Sequence, residues 1–96
     1  MTDASAKVNA KIAHWIFSLT PSWCRACRSL LGLTQKELAA AALVAPQTIA
    51  DFERGARTPH VNNLKAIASA LEQRGITFVV EQDAIVGVRW MPPLPQ

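Results

Sequence analysis

Residues 34–53 read TQKELAAAALVAPQTIADFE, and this stretch decides the fold. Its first four residues have the spacing of a capping box. In that arrangement, the hydroxyl of Thr34 and the carboxylate of Glu37 each accept a backbone N–H at the start of a helix. The pattern therefore predicts a helix that opens at Thr34 and ends near Ala42.

A second short helix follows after a tight turn. It begins at Pro46, whose ring presets φ for a first helical position, and it ends near Arg54. Two helices joined so closely cross at a steep angle, and the crossing needs a small side chain, which Ala39 supplies. The apolar positions expected to be buried around this crossing are Leu38, Ala42, Val44, Ile49 and Phe52.

Two further helices are predicted on either side of this pair. One covers residues 21–31, with Thr20 as N-cap and Gly32 just past its end. The other covers about 61–74 and ends before Gly75. Its apolar face consists of Leu64, Ile67, Ala68 and Leu71.

The end of the chain changes period. Two β-prone runs, 76–80 and 84–90, are separated by the polar residues 81–83 and predict a β-hairpin. Residues 91–96 hold three prolines and predict an extended end. Because a lone hairpin is marginal in water, this one must pack on the helices or pair with another subunit.

The first twenty residues carry a single apolar stripe at helical spacing. Its members are Val8, Ile12, Trp15, Ile16 and Leu19. The stripe predicts an N-terminal helix with two interpretations that the sequence leaves open. The helix covers the core of its own chain, or it forms a contact with a second copy.

The composition is that of a folded globular chain, since half of the 96 residues are apolar and 18% are charged. We predict a mainly α fold of four to five helices with a C-terminal β-hairpin. It has three regions: a helical extension (1–20), a central domain (21–75), and the hairpin with its tail (76–96). A core this small favours a homodimer as a source of further burial.

The net charge of +3 is mildly basic and permits a phosphate-binding surface. Residues 21–75 hold seven basic and four acidic side chains and so carry the whole excess. The sequence has no apolar run long enough to cross a membrane, and residues 1–9 lack the charged and apolar regions of a signal peptide. We therefore expect a cytoplasmic protein with no membrane association.

Residues 34–53 resemble the helix-turn-helix of the Cro/phage-repressor (XRE) family. Similarity to that family extends over about 23–80 and includes RACRSLLGL at 25–33, GARTP at 55–59, and a closing Leu-x-x-Ile-x-x-x-Leu helix followed by GITF at 75–78. The resemblance implies a lambda-repressor-like bundle and a sequence-specific DNA-binding transcriptional regulator, either a repressor or an autoregulator. It further implies a homodimer on an inverted-repeat operator in double-stranded DNA.

By this resemblance, the start of helix 46–54 reads base edges in the major groove. Gln47 is the main candidate because its amide matches adenine, while Pro46 offers apolar contact and Thr48 contacts a phosphate or a thymine methyl. Asp51 either accepts a hydrogen bond from cytosine or is simply solvated.

The resemblance also implies contacts with the DNA backbone. Gln35 places its N–H and amide against a phosphate, Arg54 and Arg57 clamp the backbone, and Lys36 is a weaker candidate.

Two other charged side chains have a structural role in the family. Arg28 is expected to pair with Glu53 in a bidentate ion pair that ties the first helix of the domain to the third.

Two positions depart from the family pattern. Leu43 stands where the turn usually has a glycine in the left-handed conformation, at a cost of about 1 kcal/mol. Ala45 stands where the second helix usually has a Ser or Thr N-cap, at a cost of about another 1 kcal/mol.

These two departures leave an alternative function open, in which the fold is a protein-interaction module (an antiactivator or antitoxin) that binds a protein partner instead of DNA. An exposed apolar groove beside Trp15 and Trp23 would favour it.

We expect neither a metal nor another cofactor, and no enzymatic activity. Cys24 and Cys27 form a C-x-x-C inside a predicted helix, with no second cysteine pair to complete the four ligands of a zinc site. His14 and His60 are isolated in sequence, and no catalytic motif is present. We interpret the two cysteines as packing residues of the helix.

Overall fold

The structure is a computed structural model that describes the backbone of residues 2–3 and all of residues 14–92. The α-helices are α1 (Pro21–Leu31), α2 (Gln35–Ala42), α3 (Pro46–Glu53) and α4 (Val61–Gln73). The strands are β1 (Thr2–Asp3), β2 (Ile76–Glu81) and β3 (Ala84–Trp90). The mainly helical fold with a C-terminal β-hairpin is confirmed, and each predicted helix of the domain 21–75 lies within one residue of its observed bounds.

The caps of the first helices form as their sequences predict. Thr34 Oγ1 accepts the backbone N–H of Glu37 at 3.0 Å, and Glu37 Oε1 accepts the N–H of Thr34 at 2.8 Å. Thr20 accepts the N–H of Trp23 at the start of α1. These bonds satisfy N–H groups that have no partner within the helix, and they therefore define where α1 and α2 begin.

The crossing of α2 and α3 lies in the core. Ala39 is fully buried at the crossing, as are Leu38 on α2 and Ile49 on α3. Phe52 is buried as well, whereas Val44 is only partly buried because it lies in the turn that joins the two helices. The small side chain of Ala39 allows the close approach that two short helices need when they cross steeply.

The sheet packs against the helices through one face of β2. Ile76, Phe78 and Val80 alternate along β2 and are all buried. The ring of Phe78 lies 5.3 Å from that of Trp15, centroid to centroid. Packing on the protein core therefore supplies the support that a hairpin alone lacks.

A two-residue turn joins the strands of the hairpin. Gln82 and Asp83 both have positive φ, at 52° and 62°, which is the conformation of a type I′ turn. That turn matches the right-handed twist of the two strands. The pairing continues to the end of β3 with one irregularity, a bulge opposite the step from Val79 to Val80.

The N-terminal region differs from the predicted helix. Thr2–Asp3 is a strand that pairs antiparallel with Val79 and Val80, and His14–Ser18 is a 3-10 helix. The segment 14–18 cannot continue into α1, because a residue that precedes proline is pushed to extended backbone, and Thr20 has a ψ of 166°.

The part of the apolar stripe that the structure describes does lie in the core. Trp15, Ile16 and Leu19 are buried, which supports the interpretation of this segment as a cover for the core of its own chain. Val8 and Ile12 lie outside the described residues, as do residues 93–96 of the predicted tail. Within residues 14–92, no helix is both long enough and apolar enough to span a bilayer.

The turn between α2 and α3 holds Leu43 in the left-handed conformation, with φ 58° and ψ 41°. Its side chain is 91% exposed, so it gains almost nothing from packing. A β-carbon in this conformation is strained against the following carbonyl. The turn therefore forms at Leu43 despite the side chain and not because of it.

We predict that Leu43→Gly raises the free energy of unfolding by about 1 kcal/mol, because glycine adopts the left-handed conformation without strain. Ala40→Gly, at an exposed position within α2, is the matched control and should lower it by about 1 kcal/mol. Urea unfolding followed by circular dichroism measures both. If Leu43→Gly lowered the free energy of unfolding as much as Ala40→Gly does, the turn would not be strained.

Candidate nucleic-acid interface

One face of α3 is turned away from the core. Ile49 and Phe52 are buried, and the helical period therefore places the opposite side of α3 on the surface. Pro46, Gln47 and Arg54 are exposed, while Thr48 and Asp51 are partly exposed. The residues predicted to read base edges thus share one accessible face with a residue predicted to clamp the backbone.

Three polar side chains on this face are joined by hydrogen bonds. Gln47 Nε2 donates to Asp51 Oδ1 at 2.8 Å, and Arg54 Nη2 donates to the same oxygen at 2.8 Å. The hydrogen bond from Gln47, followed by that from Arg54, lowers the pKa of Asp51. Asp51 is therefore an anion between two donors, and it holds the amide of Gln47 in one orientation.

A cleft of about 360 Å³ adjoins this face. Gln47, Thr48 and Asp51 form one wall of the cleft, and the segment from Arg57 to the start of α4 forms the other. Its remaining lining residues are Thr58, Pro59, His60 and Asn63. The cleft lies between α3 and the start of α4, and polar side chains form most of its lining.

Thr58, His60 and Asn63 were not among the residues predicted from the sequence to contact DNA. His60 is the N-cap of α4, and its Nδ1 accepts the backbone N–H of Asn62 at 3.2 Å. These three residues could have been found from the polar run at the start of a predicted helix, because helix N-termini favour anions. The sequence contains no sign that this helix start lies beside α3.

The loop after α3 keeps Arg57 next to the same face. The backbone N–H groups of Ala56 and Arg57 both donate to the carbonyl of Asp51, at 2.9 Å and 3.4 Å. Gly55 allows this reversal because its φ is 76°, in the left-handed region. The guanidinium groups of Arg54 and Arg57 therefore stand on the surface on either side of a tight turn.

The first turn of α2 contributes the two remaining candidates. Lys36 is exposed, in agreement with a backbone-binding role. Gln35 is partly buried, and its Nε2 donates to Glu53 Oε1 at 3.1 Å. One N–H of the Gln35 amide is thus bonded to a carboxylate inside the domain, and the backbone N–H groups at the start of α2 are further donors suited to a phosphate.

Glu53, the last residue of α3, is the one charged residue in the buried set of the described chain, with 4% of its surface exposed. Arg28 binds both of its oxygens, with Nε 2.8 Å from Oε2 and Nη2 2.8 Å from Oε1. This is the bidentate geometry expected of the pair. The carboxylate also accepts hydrogen bonds from Gln35 and, at 3.3 Å, from the thiol of Cys24, two partners that the sequence did not predict.

The two arginines of α1 also bind the backbone of neighbouring segments. Arg28 Nη1 donates to the carbonyl of Leu33, 2.9 Å away in the loop before α2. Arg25 donates to the carbonyl of Glu53, where a positive charge also suits the C-terminal end of the α3 dipole. The ends of three helices therefore meet around one carboxylate.

The charges of this cluster support each other. Burial alone would raise the pKa of Glu53, but hydrogen bonds from Arg28, Gln35 and Cys24 outweigh it and hold the pKa below its ordinary value. The hydrogen bond to Glu53 in turn raises the pKa of Arg28. The pair is therefore fully ionised at neutral pH.

Both cysteines are protonated structural residues. Burial, and then the charge of Glu53, raises the pKa of Cys24 far above its ordinary value. Burial raises the pKa of Cys27 to about 11. Because the thiolate is the reactive form, buried thiols of this kind are inert, and the Cys24 thiol serves as a hydrogen-bond donor.

We predict that Arg28→Ala lowers the free energy of unfolding by about 3–5 kcal/mol, because it leaves a buried carboxylate without its counter-charge. A loss of that size is a large fraction of the roughly 5–15 kcal/mol by which a native domain is stable. The matched control is Arg54→Ala, which breaks the exposed pair with Asp51 and should leave stability almost unchanged, because solvent screens exposed ion pairs. A folded Arg28→Ala protein with unchanged thermal stability would contradict the structural role.

The depressed pKa of Glu53 also predicts acid sensitivity. The pair stabilises the fold above the unfolded-state pKa of Glu53, for which the ordinary value is 4.5, and this stabilisation is lost as pH falls through the lower folded-state value. The double variant Arg28→Met, Glu53→Gln replaces the pair with neutral side chains of similar size. Urea unfolding from pH 7 to pH 3 should show that wild type loses stability relative to the double variant below about pH 4.5. If the free energies of unfolding of the two proteins changed in parallel with pH, the pair would not be the source of the acid sensitivity.

Comparison with known proteins agrees with this geometry. A family model described as "Helix-turn-helix" matches residues 25–77, which is more than half of the chain. No curated protein matches the chain significantly. The match includes α2, the turn, α3 and α4, and the family is one of DNA-binding regulators and not of enzymes. The chain therefore belongs to the Cro/C1-type helix-turn-helix family, the XRE family of DNA-binding transcriptional regulators.

Proposed function

We propose that the protein is a sequence-specific repressor or autoregulator that binds an inverted-repeat operator as a homodimer, with α3 in the major groove. The observation that carries the proposal is the amide of Gln47, which stands exposed at the start of α3 and is held by Asp51 at 2.8 Å. Two-fold protein symmetry requires two-fold symmetry of the operator, with half-sites about one helical turn (~34 Å) apart.

The held amide suits the readout of adenine. A glutamine amide has two N–H donors and one oxygen acceptor. One N–H of Gln47 is bonded to Asp51, and the other N–H and the oxygen are the pair that bind adenine N7 and N6. Because Asp51 already restricts the side chain of Gln47, binding loses less conformational entropy than it would for a mobile glutamine.

The residues around Gln47 divide into base and backbone contacts. Pro46 and Thr48 flank it and offer apolar contact, including contact with a thymine methyl. The exposed cations Lys36, Arg54 and Arg57 provide the charge that attracts the phosphates. Arg54 also offsets the negative charge of Asp51, which would otherwise repel DNA.

The cleft beside α3 supports a further backbone contact. It is lined by the residues from Arg57 to Asn63, and the N-terminus of α4 opens into it. Backbone N–H groups at a helix start favour an anion such as a phosphate.

A protein that regulates transcription works where the DNA is, and we therefore propose a cytoplasmic location.

We predict that selection from random duplexes recovers an inverted repeat and that Gln47→Ala relaxes the base preference at one position per half-site by about 1–3 kcal/mol. Asp51→Ala should relax the preference at the same position, since it releases the Gln47 amide. Arg57→Ala is the matched control. It should weaken binding to all sequences alike and reduce the salt dependence by about one ion per protomer.

The same measurements distinguish readout from general attraction to charge. If Gln47→Ala weakens binding to all DNA sequences equally, Gln47 does not read bases. If folded wild-type protein enriches no sequence, the proposal is wrong, and a strong salt dependence without enrichment would show non-specific attraction to the phosphates only.

The alternative function is a protein-interaction module on the same fold. It is favoured by Leu43, a large apolar side chain that is 91% exposed beside the start of α3. An exposed apolar groove beside Trp15 and Trp23 would have favoured it, but Trp15 is buried and Trp23 packs partly buried against the core. A protein that enriches no DNA but binds a partner lost on Leu43→Lys would establish this alternative.

A further inference from the structure

The carboxylate of Asp51 has one oxygen that the fold does not use. The hydrogen bonds from Gln47 and Arg54 both go to Oδ1, and no other residue in the described part of the chain donates to this carboxylate. The side chain of Asp51 is 21% exposed and lies on the same face of α3 as the amide of Gln47. Oδ2 is therefore left as an acceptor on the face that is predicted to meet DNA.

The charge of Asp51 is stable at neutral pH. The hydrogen bond from Gln47, followed by that from Arg54, lowers the pKa of Asp51, and the charges of Arg54 and Arg57 lower it further. An ionised carboxylate accepts hydrogen bonds and donates none. Because two donors already restrain the side chain through Oδ1, a further hydrogen bond to Oδ2 loses less conformational entropy than it would for a mobile aspartate.

An acceptor without a donor distinguishes the four bases in the major groove. Guanine presents two acceptors there, adenine presents an acceptor beside its donor, and thymine presents an acceptor and a methyl group. Cytosine presents only its N4 amino group, which is a donor. Oδ2 is therefore attracted by the edge of cytosine and repelled by an acceptor on the edge of each other base.

The position of Asp51 on α3 limits which base it can reach. Gln47 and Asp51 are four residues apart on one face, and one helical turn advances by about 5.4 Å. Successive bases of one DNA strand are about 3.4 Å apart along the axis. A base that binds Asp51 therefore lies one or two steps from the base that binds Gln47.

A carboxylate on this face affects selectivity more than affinity. Its repulsion of the phosphates applies to every DNA sequence alike, and Arg54, 2.8 Å away, offsets that repulsion. Its attraction to a donor and its repulsion of acceptors depend on the base. A side chain that rejects the wrong partners in this way contributes to specificity even where it adds little to binding.

We propose that Oδ2 of Asp51 selects a cytosine in each half-site, within two steps of the adenine that Gln47 reads. The inference deepens the proposed function and rests on it for the placement of α3 in the major groove. Asp51 then has two roles. Oδ1 positions the amide of Gln47, and Oδ2 reads a base of its own.

The variant Asp51→Asn reverses the second role and keeps the first. Gln47 and Arg54 both donate to the place of Oδ1, so the amide oxygen must lie there, and the NH₂ group takes the place of Oδ2. Thymine carries an acceptor, O4, where cytosine carries its N4 donor. In a selection from random duplexes, Asp51→Asn should therefore exchange the preference for cytosine for one for thymine, and it should keep the preference for adenine.

The matched control is Glu37→Gln, which also turns an exposed carboxylate into an amide and removes one negative charge. Glutamine completes a capping box as glutamate does, so the start of α2 should be preserved. Glu37→Gln should strengthen binding to all sequences alike and change no base preference. If it changed the preference as Asp51→Asn does, the loss of charge alone would explain both results and the proposal would be wrong.

A measurement on the wild-type protein tests the same contact from the side of the DNA. In the selected operator, 2-pyrimidinone, which lacks the 4-amino group, replaces the cytosine. Wild-type protein should bind this duplex about 10-fold or more weakly, which is the effect of one hydrogen bond to a charged group. Asp51→Ala should bind both duplexes equally. Equal binding of both duplexes by wild-type protein would overturn the proposal.

The outcomes separate this inference from the proposed function. An inverted repeat with an adenine that depends on Gln47, but with no cytosine within two steps of it, refutes the cytosine contact and leaves the proposed function standing. A cytosine preference that persists in Asp51→Asn has the same meaning. If folded wild-type protein enriches no sequence, both the contact and the proposed function are refuted.

Discussion

The buried carboxylate of Glu53 is the interaction on which the rest of the domain depends. It lies at the end of α3 and binds Arg28 from α1 and Gln35 from α2, so one group holds the ends of three helices. A buried charge is tolerated only when it is paired and hydrogen-bonded, and here the thiol of Cys24 completes its set of partners. The carboxylate therefore admits one arrangement of these helices and penalises the others.

The exposed face of α3 owes its position to this anchor. Because Glu53 fixes the last turn of α3 from inside the domain, Asp51 in that same turn and Gln47 in the first turn of the helix are presented in a defined orientation. The same chemistry recurs there in exposed form, since one oxygen of Asp51 accepts hydrogen bonds from Gln47 and Arg54. The buried carboxylate stabilises the fold, whereas the exposed one orients a side chain that is suited to a base edge. Both carboxylates therefore act through the groups that they hold in position.

Local signals accounted for most of the fold. The capping box at Thr34 and the proline at the first position of α3 were recognisable because they depend on neighbours within a few residues. The left-handed conformation of Leu43 was recognisable from the family pattern, in which a glycine usually stands there. The helix predicted over residues 1–20 had a helical apolar period, yet Thr2–Asp3 pairs with β2 and His14–Ser18 forms a 3-10 helix. Contacts with the sheet, which lies some 60 residues or more along the chain, override local propensity there.

The helix pair, the two helices around it and the hairpin could be predicted from the sequence, because caps, apolar spacing and β-prone runs specify them locally. The pairing of Arg28 with Glu53 could be predicted only from the resemblance to a known family. Two features needed the tertiary structure: Gln35 and Cys24 bind the same carboxylate, and the start of α4 lies beside α3. Those facts depend on segments that are distant in the chain and close in space. Periodicity and caps report on a residue's near neighbours, whereas burial and hydrogen bonding between elements arise only when the chain is packed.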